Sequence, residues 1–245
     1  GVALVLLFFL SWYLAGRIVK PLEESYERQK QFISDAGHEL KTPVAVINVN
    51  AELLSREIGE NQWISNIQYE RERMSALISQ LLDLARAEHA KPPMEAVDFS
   101  RLVCGETLPF ETVAYEKGLM LNCEIDDEIR VSGNSVQLKQ LVSILIDNAI
   151  RHGEGGREIR ISLKKGKSHA VLSVANEGPE IPPEQRSHLF ERFYRTDSAR
   201  TGEDNHYGLG LAIAKAITVS HEGSIDLQCG DGNVEFIVKI PLLRA

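Results

Sequence analysis

The sequence predicts a multidomain fold in which an all-α helical hairpin is followed by an α+β domain. Two patterns carry this prediction. Between residues 22 and 84, apolar residues recur at helical steps of three and four, which is typical of amphipathic helices packed at shallow angles. Between residues 100 and 244, short alternating segments are interspersed with helical ones, which is typical of a layered α+β domain.

The helical part is predicted to be an antiparallel hairpin over residues 22–91. Its first helix ends near Gly59, a usual stop signal, and its second begins at Asn61 or Gln62. One hairpin cannot bury both apolar stripes well, so we expect a homodimer in which two hairpins form a four-helix bundle. Two prolines then open an interdomain linker over 92–99.

The second domain, residues 100–244, is predicted to contain a mostly antiparallel or mixed sheet. Ser100 is expected to cap a helix that ends before Gly118. Tight turns at 165–167 and 230–232 indicate β-hairpins. Strands are expected at 119–125, 129–132, 157–165, 168–175, 224–229 and 233–240, and two further helices at 135–152 and 208–221.

Charge and cysteine content exclude several classes of protein. The net charge of −8 argues against a general nucleic-acid surface, which would be basic. The three cysteines, Cys104, Cys123 and Cys229, lie far apart without CxxC spacing, so we interpret them as reduced thiols of a cytosolic compartment.

The N-terminal segment 1–16 carries no charge, and Arg17 and Lys20 follow it. It is shorter than the roughly 20 apolar residues of a full span, so we interpret it as the C-terminal part of a transmembrane helix. Trp12 and Tyr13 fit an interfacial belt, and the basic residues fit a cytoplasmic exit. A buried core helix is the alternative. We assign 17–31 to a signalling linker helix that overlaps the start of the hairpin.

A polar cluster interrupts the first helix at residues 32–43. At about 100° per residue, His38 lies roughly 160° from the apolar seam and therefore faces water. Glu39 is its neighbour and Thr42 follows one turn later, before Pro43. A zinc protease HExxH motif is excluded because Thr42 stands where a second histidine is required.

Three segments of the second domain indicate ligand chemistry. Asn148 lies in a helix, on the side of otherwise apolar residues. Segment 176–182, Asn-Glu-Gly-Pro-Glu-Ile-Pro, forces a turn that lets the backbone approach a flat ligand. Gly208 and Gly210 open a helix whose N–H groups favour phosphate, although neither the P-loop nor the Rossmann pattern is present.

In their order along the chain, these segments resemble a bacterial membrane sensor histidine kinase of a two-component system. Residues 32–43 are similar to its phosphoacceptor box, and the Asn148 helix to its asparagine box. Segment 176–182 is similar to the first glycine box, 190–195 to the phenylalanine box and 208–211 to the second glycine box. The resemblance covers nearly all of residues 17–244. It implies a histidine-phosphotransfer hairpin and an ATP-binding sandwich of the gyrase and Hsp90 (GHKL) type.

The resemblance also implies roles and partners. His38 accepts the γ-phosphoryl group of ATP, Glu39 orients the imidazole and removes its proton, and Thr42 positions a water that hydrolyses the regulator's aspartyl phosphate. Asn148 holds Mg²⁺. The partner is the receiver domain of a response regulator, and the protein sits in the cell membrane with its catalytic part in the cytoplasm. The implied nucleotide-binding residues are Asn148, Arg151, His152, Asn176, Gly178, Ile181, Arg192, Tyr194, Arg195, Gly208, Leu209, Gly210 and Leu211.

Four features depart from the family pattern: Ile144 in the asparagine box, Asn176 and Glu180 in the first glycine box, His206 and Tyr207 before the second glycine box, and the lack of a convincing helical signalling module between the membrane segment and residue 22. Asparagine can still accept a bond from the adenine amine, but more weakly than a carboxylate. Because three of these departures lie in the nucleotide boxes, a phosphatase-biased receptor and a catalytically silent dimeric scaffold remain as alternatives to an active kinase.

Overall fold

The computed structural model describes residues 43–57, 59, 61–89, 92–153, 156–195 and 207–243. The chain divides into two compact units, Gly1–His89 and Ala90–Ala245. The predicted transmembrane segment 1–16 and linker helix 17–31 lie outside the described residues. Among the residues that are described, no helix is long and apolar enough to cross a membrane.

The first unit is a helical hairpin, as predicted. Helix α1 covers 43–57, and α2 runs from Gln62 to His89. Asn61 caps α2, because its Oδ1 accepts bonds from the backbone N–H groups of Trp63 and Ile64 at 3.0 and 3.1 Å. The helices pack through a small buried cluster of Val44, Ile78 and Leu82.

The second unit is an α/β sandwich, which confirms the predicted fold class. Its main sheet consists of the strands β2 (Met120–Ile125), β4 (Glu158–Lys165), β5 (His169–Glu177), β6 (Ser224–Gly230) and β7 (Asn233–Pro241). In this five-stranded sheet the order is β2-β4-β5-β7-β6, where β2 pairs parallel with β4 and the other pairs are antiparallel. The turns at 165–167 and 230–232 join β4 to β5 and β6 to β7 as predicted.

Helices α3 (Phe99–Glu116), α4 (Ser135–His152) and α6 (Gly210–Ser220) complete the sandwich. Alternate residues of the central strands point into its core, and α4 contributes Leu138, Leu141 and Leu145, all wholly buried. The core therefore lies beneath α4, the helix that carries Asn148.

Several local predictions are wrong or incomplete. Asp98, not Ser100, caps α3 by accepting from Arg101 N at 3.0 Å. Ser100 is buried instead, where its hydroxyl donates to Asp126 O and accepts from Ile129 N. The sequence reading also missed strand β1 (Glu95–Asp98), which pairs antiparallel with β3 (Arg130–Gly133) in a separate two-stranded sheet. A one-turn helix α5 (Pro183–Arg186) and a 3₁₀ turn (His188–Phe190) were missed as well.

Candidate functional site

The candidate phosphoacceptor residues His38, Glu39 and Thr42 lie outside the described residues, so their predicted roles stay predictions. The structure describes the chain from Pro43 onward, which is the residue after the cluster. The candidate nucleotide site lies in the second unit, and most of its predicted residues are described.

Two of the candidate segments, 176–182 and 208–210, lie against the C-terminal half of α4, and this helix carries the third candidate, Asn148. At one side, a β carbon placed on Gly210 would lie 3.5 Å from Cγ2 of Ile144, one helical turn before Asn148. At the end of the helix, a β carbon on Gly153 would lie 3.5 Å from Cβ of Asn176. The helix end therefore brings together parts of the chain that are distant in sequence.

Asn176 carries the most informative polar group of this site. It is 2% exposed, and it faces the helices because it lies on the same face of β5 as the buried Leu172 and Val174. Its Nδ2 donates to the carbonyl of Glu177 at 3.0 Å, whereas its Oδ1 has no partner. An unpaired buried acceptor costs about 1–3 kcal/mol, so this oxygen is suited to a ligand that brings a donor.

The loop after Asn176 is fixed at both of its ends. Gly178 N donates to Gly232 O at 2.9 Å, and a β carbon on Gly178 would lie only 3.1 Å from the carbonyl oxygen of His152. Farther along, the Ile181 carbonyl accepts from Nε of Arg186 at 2.8 Å. Any larger residue at position 178 would therefore press against the end of α4.

The second glycine segment leads into an uncapped helix N-terminus. The first helical bond of α6 joins Ile213 N to Leu209 O. The N-cap residue Leu209 has no side-chain acceptor for the N–H groups of the first turn. Gly208 has φ +69°, and a β carbon there would lie 2.6 Å from Tyr194 O. Since the first-turn N–H groups lack intrahelical partners, this end of α6 is suited to bind an anion.

Two predicted residues of this segment differ in what they can offer a ligand. The side chain of Leu209 is wholly buried in the core, so only its backbone can reach a nucleotide. Leu211 is half-buried in the first turn of α6.

On α4, Asn148 is half-buried and not enclosed by apolar residues as the sequence pattern suggested. No hydrogen bond of its side chain is recorded within the described part of the chain. Arg151 forms a bidentate pair with Asp147 at 2.9 and 3.2 Å, and His152 is exposed. The half-buried Asn148 thus lies next to a carboxylate that is already paired.

Arg192, Tyr194 and Arg195 lie in the segment just before residues 196–206, which are outside the described part of the chain. Phe193 N donates to Gly208 O at 3.0 Å, which connects this segment to the start of α6. Phe193 itself has φ +63° and is 57% exposed, an unusual backbone conformation for an aromatic residue. Tyr194 lies against His188, with ring centroids 5.6 Å apart.

The sequence reading missed two features of the site. A β carbon on Gly153 would meet Ala149 O of α4 at 2.8 Å, and one on Gly156 would meet Glu177 Cβ of β5 at 2.9 Å. Arg186 contacts both Ile181 O and the carboxylate of Glu180, the latter at 2.9 Å. The glycine cluster after α4 was visible in the sequence, whereas the Arg186 contacts depend on how the two prolines turn the chain.

The described residues contain no group of three or more His, Cys, Asp or Glu side chains that could hold a metal ion. The three cysteines are free thiols, as predicted. Burial raises the pKa of Cys123, and the nearby Cys104 and Glu111 raise it further, so this thiol stays protonated at neutral pH.

The α/β sandwich, its glycine-bounded site and the unpaired buried amide together fit an ATP-binding domain. Comparisons with known proteins give the family. Residues 133–244 match the family described as "Histidine kinase-, DNA gyrase B-, and HSP90-like ATPase". Residues 28–90 match the "His Kinase A (phospho-acceptor) domain". Together the two matches cover more than half of the chain, which belongs to the histidine kinases. The prediction of a two-component histidine kinase is confirmed at the level of the family.

Two curated relatives match almost the whole chain. The sensor protein DltS of Streptococcus agalactiae (strain NEM316) is 38% identical over 247 residues, which are 97% of this chain and 60% of DltS. The sensor histidine kinase RppB of Synechocystis sp. is 35% identical over 253 residues, which are 98% of this chain and 55% of RppB. The chain therefore spans somewhat more than half the length of each relative.

Solved structures share the fold. Full-length ShkA in complex with AMPPNP matches with a TM-score of 0.73 at 22% identity, over 88% of this chain and 46% of ShkA. The histidine kinase ThkA in complex with the response regulator TrrA matches with a TM-score of 0.60 at 24% identity, over 87% of this chain and 61% of that chain. At these identities the likeness establishes the fold alone.

Proposed function

We propose that this chain autophosphorylates His38 with ATP and passes the phosphoryl group to an aspartate of a response regulator. The observation that carries the proposal is the unpaired Oδ1 of Asn176, buried where the family resemblance expects the adenine amine. Its Nδ2 is already bonded to Glu177 O, so Oδ1 is the atom left to accept a bond from a ligand.

In this proposal the two ends of the nucleotide meet different parts of the site. The adenine amine donates to Asn176 Oδ1, while the backbone around Gly178 allows close approach to the base. The phosphates bind the N–H groups at the start of α6, after the turn that Gly208 makes possible. ShkA, whose fold this chain shares, was crystallised with AMPPNP, which is consistent with such binding.

The magnesium ion would be held by Asn148 together with the phosphates. Mg²⁺ usually keeps several waters and binds substrate phosphates with few protein ligands, so it needs no cluster of protein carboxylates. The half-buried Asn148, one turn from the residue that Gly210 approaches, carries an amide oxygen that could serve as such a ligand. When bound, the ion neutralises negative charge on the phosphates during transfer.

The transfer step itself involves residues of the phosphoacceptor helix. A ring nitrogen of His38 forms a bond to the γ-phosphorus, the bond to the bridging oxygen breaks, and ADP leaves with that electron pair. Glu39 orients the imidazole and receives its proton, as a general base. The phosphoryl group then moves from His38 to the aspartate of the regulator.

The nucleotide part of the proposal is tested by measuring ATP affinity calorimetrically in the full chain. Asn176→Ala removes the unpaired acceptor, and we expect it to weaken ATP binding about two- to tenfold. Asn122→Ala is the matched control, since that amide is exposed on β2 and bonds Glu158 at 2.7 Å. Equal ATP affinity in all three proteins would contradict adenine recognition by Asn176.

The hairpin supports a homodimer. Several large apolar side chains of the hairpin are exposed, among them Ile47, Leu54, Ile67 and Met74 at 43–45%. Burying them between two copies would give the expected four-helix bundle. Sedimentation equilibrium of the native chain and of Ile67→Glu tests this interface: a monomeric native chain would contradict it, as would an undiminished dimer in the variant.

Two further proposals concern regulation and location. Thr42 positions the water that dephosphorylates the regulator, so Thr42→Ala should lose this activity while keeping autophosphorylation. Loss of both activities, or of neither, would argue against that role.

We also propose that segment 1–16 anchors the protein in the cell membrane with its catalytic part in the cytoplasm. Full membrane association after deletion of residues 1–16 would contradict anchoring by this segment.

A further inference from the structure

Part of loop 177–182 is held by an ion pair between Glu180 and Arg186. Arg186, in the single turn of α5, bonds two successive residues of the loop. Its Nε donates to Ile181 O at 2.8 Å, and one of its terminal nitrogens lies 2.9 Å from a carboxylate oxygen of Glu180. The arginine side chain is 27% exposed and the glutamate side chain 65% exposed, so the pair lies at the surface.

Both ends of the loop are fixed by other contacts, and the Glu180–Arg186 pair fixes its middle. Gly178 N is bonded to Gly232 O, which fixes the beginning of the loop against the β6–β7 turn. Pro182 and Pro183 restrict the backbone where α5 begins, and Gln185 N donates to Pro182 O at 2.9 Å. Residues 179–181 lie between these points, and within the described part of the chain they are hydrogen-bonded only to Arg186.

The neighbouring Asn176 indicates what this loop shape serves. Its unpaired, buried Oδ1 lies at the start of the same loop and needs a donor from a ligand. A planar base bonded to that oxygen would have to pass beside the loop, and Ile181 is its half-buried apolar residue. Arg186 holds the backbone of Ile181, and this backbone position determines whether the apolar Ile181 side chain lies beside the base before the base binds.

We propose that the Glu180–Arg186 pair is a positioning device that holds loop 177–182 in its base-binding shape before nucleotide arrives. Neither residue contacts the ligand in this account. The pair reduces the ordering that binding would otherwise require, which raises affinity for the base without changing the chemical step. The inference rests on the proposed ATP site and assigns that site a determinant, Arg186, that lies outside the family's sequence boxes.

The test measures the affinities of ATP, ADP and adenosine for the full chain and three variants. Arg186→Gln and Glu180→Gln remove the charges of the pair, and Glu184→Gln is the matched control. Glu184 is an exposed carboxylate of the same turn, for which the described part of the structure records no ion pair. We expect each variant of the pair to weaken all three ligands by the same factor, about two- to fivefold, and the control to have no effect.

Two further readouts separate positioning from a general structural role. The double variant Glu180→Gln/Arg186→Gln should bind no more weakly than Arg186→Gln alone, because Arg186→Gln already removes the contact that Glu180→Gln breaks. Raising the salt concentration should weaken adenosine binding to the native chain, but not to Glu180→Gln, since adenosine itself carries no charge.

The possible outcomes are distinct. Unchanged affinity in both variants overturns the inference, while intact ATP binding by the native chain leaves the proposed function standing. A loss confined to ATP and ADP also overturns it, because Arg186 would then act on phosphate. Failure of the native chain to bind any of the three ligands contradicts the nucleotide site itself, and the inference with it.

Discussion

His221 connects the far ends of the two helices that carry the candidate phosphate and metal residues. It is 4% exposed and lies just after α6, where its Nε2 accepts from Asn134 N at 3.0 Å. This bond places the ring proton on Nδ1, which donates to Ile217 O at 2.8 Å and lies 3.2 Å from the Ser220 hydroxyl. Gly133 leaves space for the ring, since a β carbon there would lie 2.8 Å from it.

Removing this ring should loosen α4 and α6 together. In His221→Ala the N–H of Asn134 loses its partner and the Ile217 carbonyl loses a hydrogen bond. The Asn134 N–H left without a partner costs about 1–3 kcal/mol, whereas the Ile217 carbonyl keeps its bonds from Ser220 Oγ and from the backbone N–H of residue 221, so we expect a loss of about 1–3 kcal/mol in the free energy of unfolding of this region. The loss should be concentrated where the two helix ends meet, at the start of α4 and the end of α6.

Acid should produce a weaker form of the same effect in the native chain. Burial lowers the pKa of His221 below its ordinary value of 6.5, and the bond to Ile217 offsets this only in part. As the pH falls, the unfolded chain takes up the proton first, because a protonated Nε2 cannot accept from Asn134 N. The stabilisation is therefore complete above about pH 6.5 and is lost below it at up to about 1.4 kcal/mol per pH unit, until the folded pKa is reached.

Hydrogen–deuterium exchange of α4 and α6 peptides in the full chain measures both effects. After correction for intrinsic rates, protection should fall between pH 7 and 5.5 in the native chain and be lower and less pH-dependent in His221→Ala. His188→Gln is the control, because His188 is exposed and pairs with Glu191 outside these helices. The reasoning is refuted if His221→Ala exchanges like the native chain, or if the native pH dependence survives unchanged in that variant.

Two further substitutions test local geometry by urea denaturation. Gly208→Ala should destabilise the second unit by about 2 kcal/mol, because of its positive φ and the 2.6 Å approach to Tyr194 O, whereas Gly210→Ala should be nearly neutral without nucleotide since its nearest neighbour is at 3.5 Å. Equal effects would contradict the turn geometry. Asn61→Ala should cost the hairpin about 1 kcal/mol by removing the cap of α2, while Asn48→Ala, at a half-buried mid-helix position, should cost much less, and the reverse order would contradict the cap.

The elements with strong periodicity could be predicted from the sequence. Helix α4 begins at Ser135 and ends at His152, as predicted from its apolar spacing and the glycine that follows. The turns at 165–167 and 230–232 were recognisable because glycine adopts the backbone conformations that tight hairpins require. The candidate site segments were recognised by family resemblance, and the structure places the described ones around one end of α4.

Features that depend on distant partners could not be predicted. Strand β1 is four residues long, and it is a strand because Val97 and its neighbours pair with β3, more than 30 residues later. Asp98 and Ser100 are both plausible caps by residue type, and the tertiary contacts of Ser100 with Asp126 and Ile129 decide between them. The sequence likewise could not show that Asn176, more than Asn148, is the buried amide.

The phosphorylation of His38 is the central claim, and radiolabelled ATP tests it most directly. The full chain and a His38→Gln variant are incubated with Mg²⁺ and ATP labelled at the γ-phosphate, and protein-bound label is measured after denaturation. The account predicts acid-labile label on the native chain and none on His38→Gln, with both proteins binding ATP equally. Label on the variant, or ATP binding without label on the native chain, would contradict it.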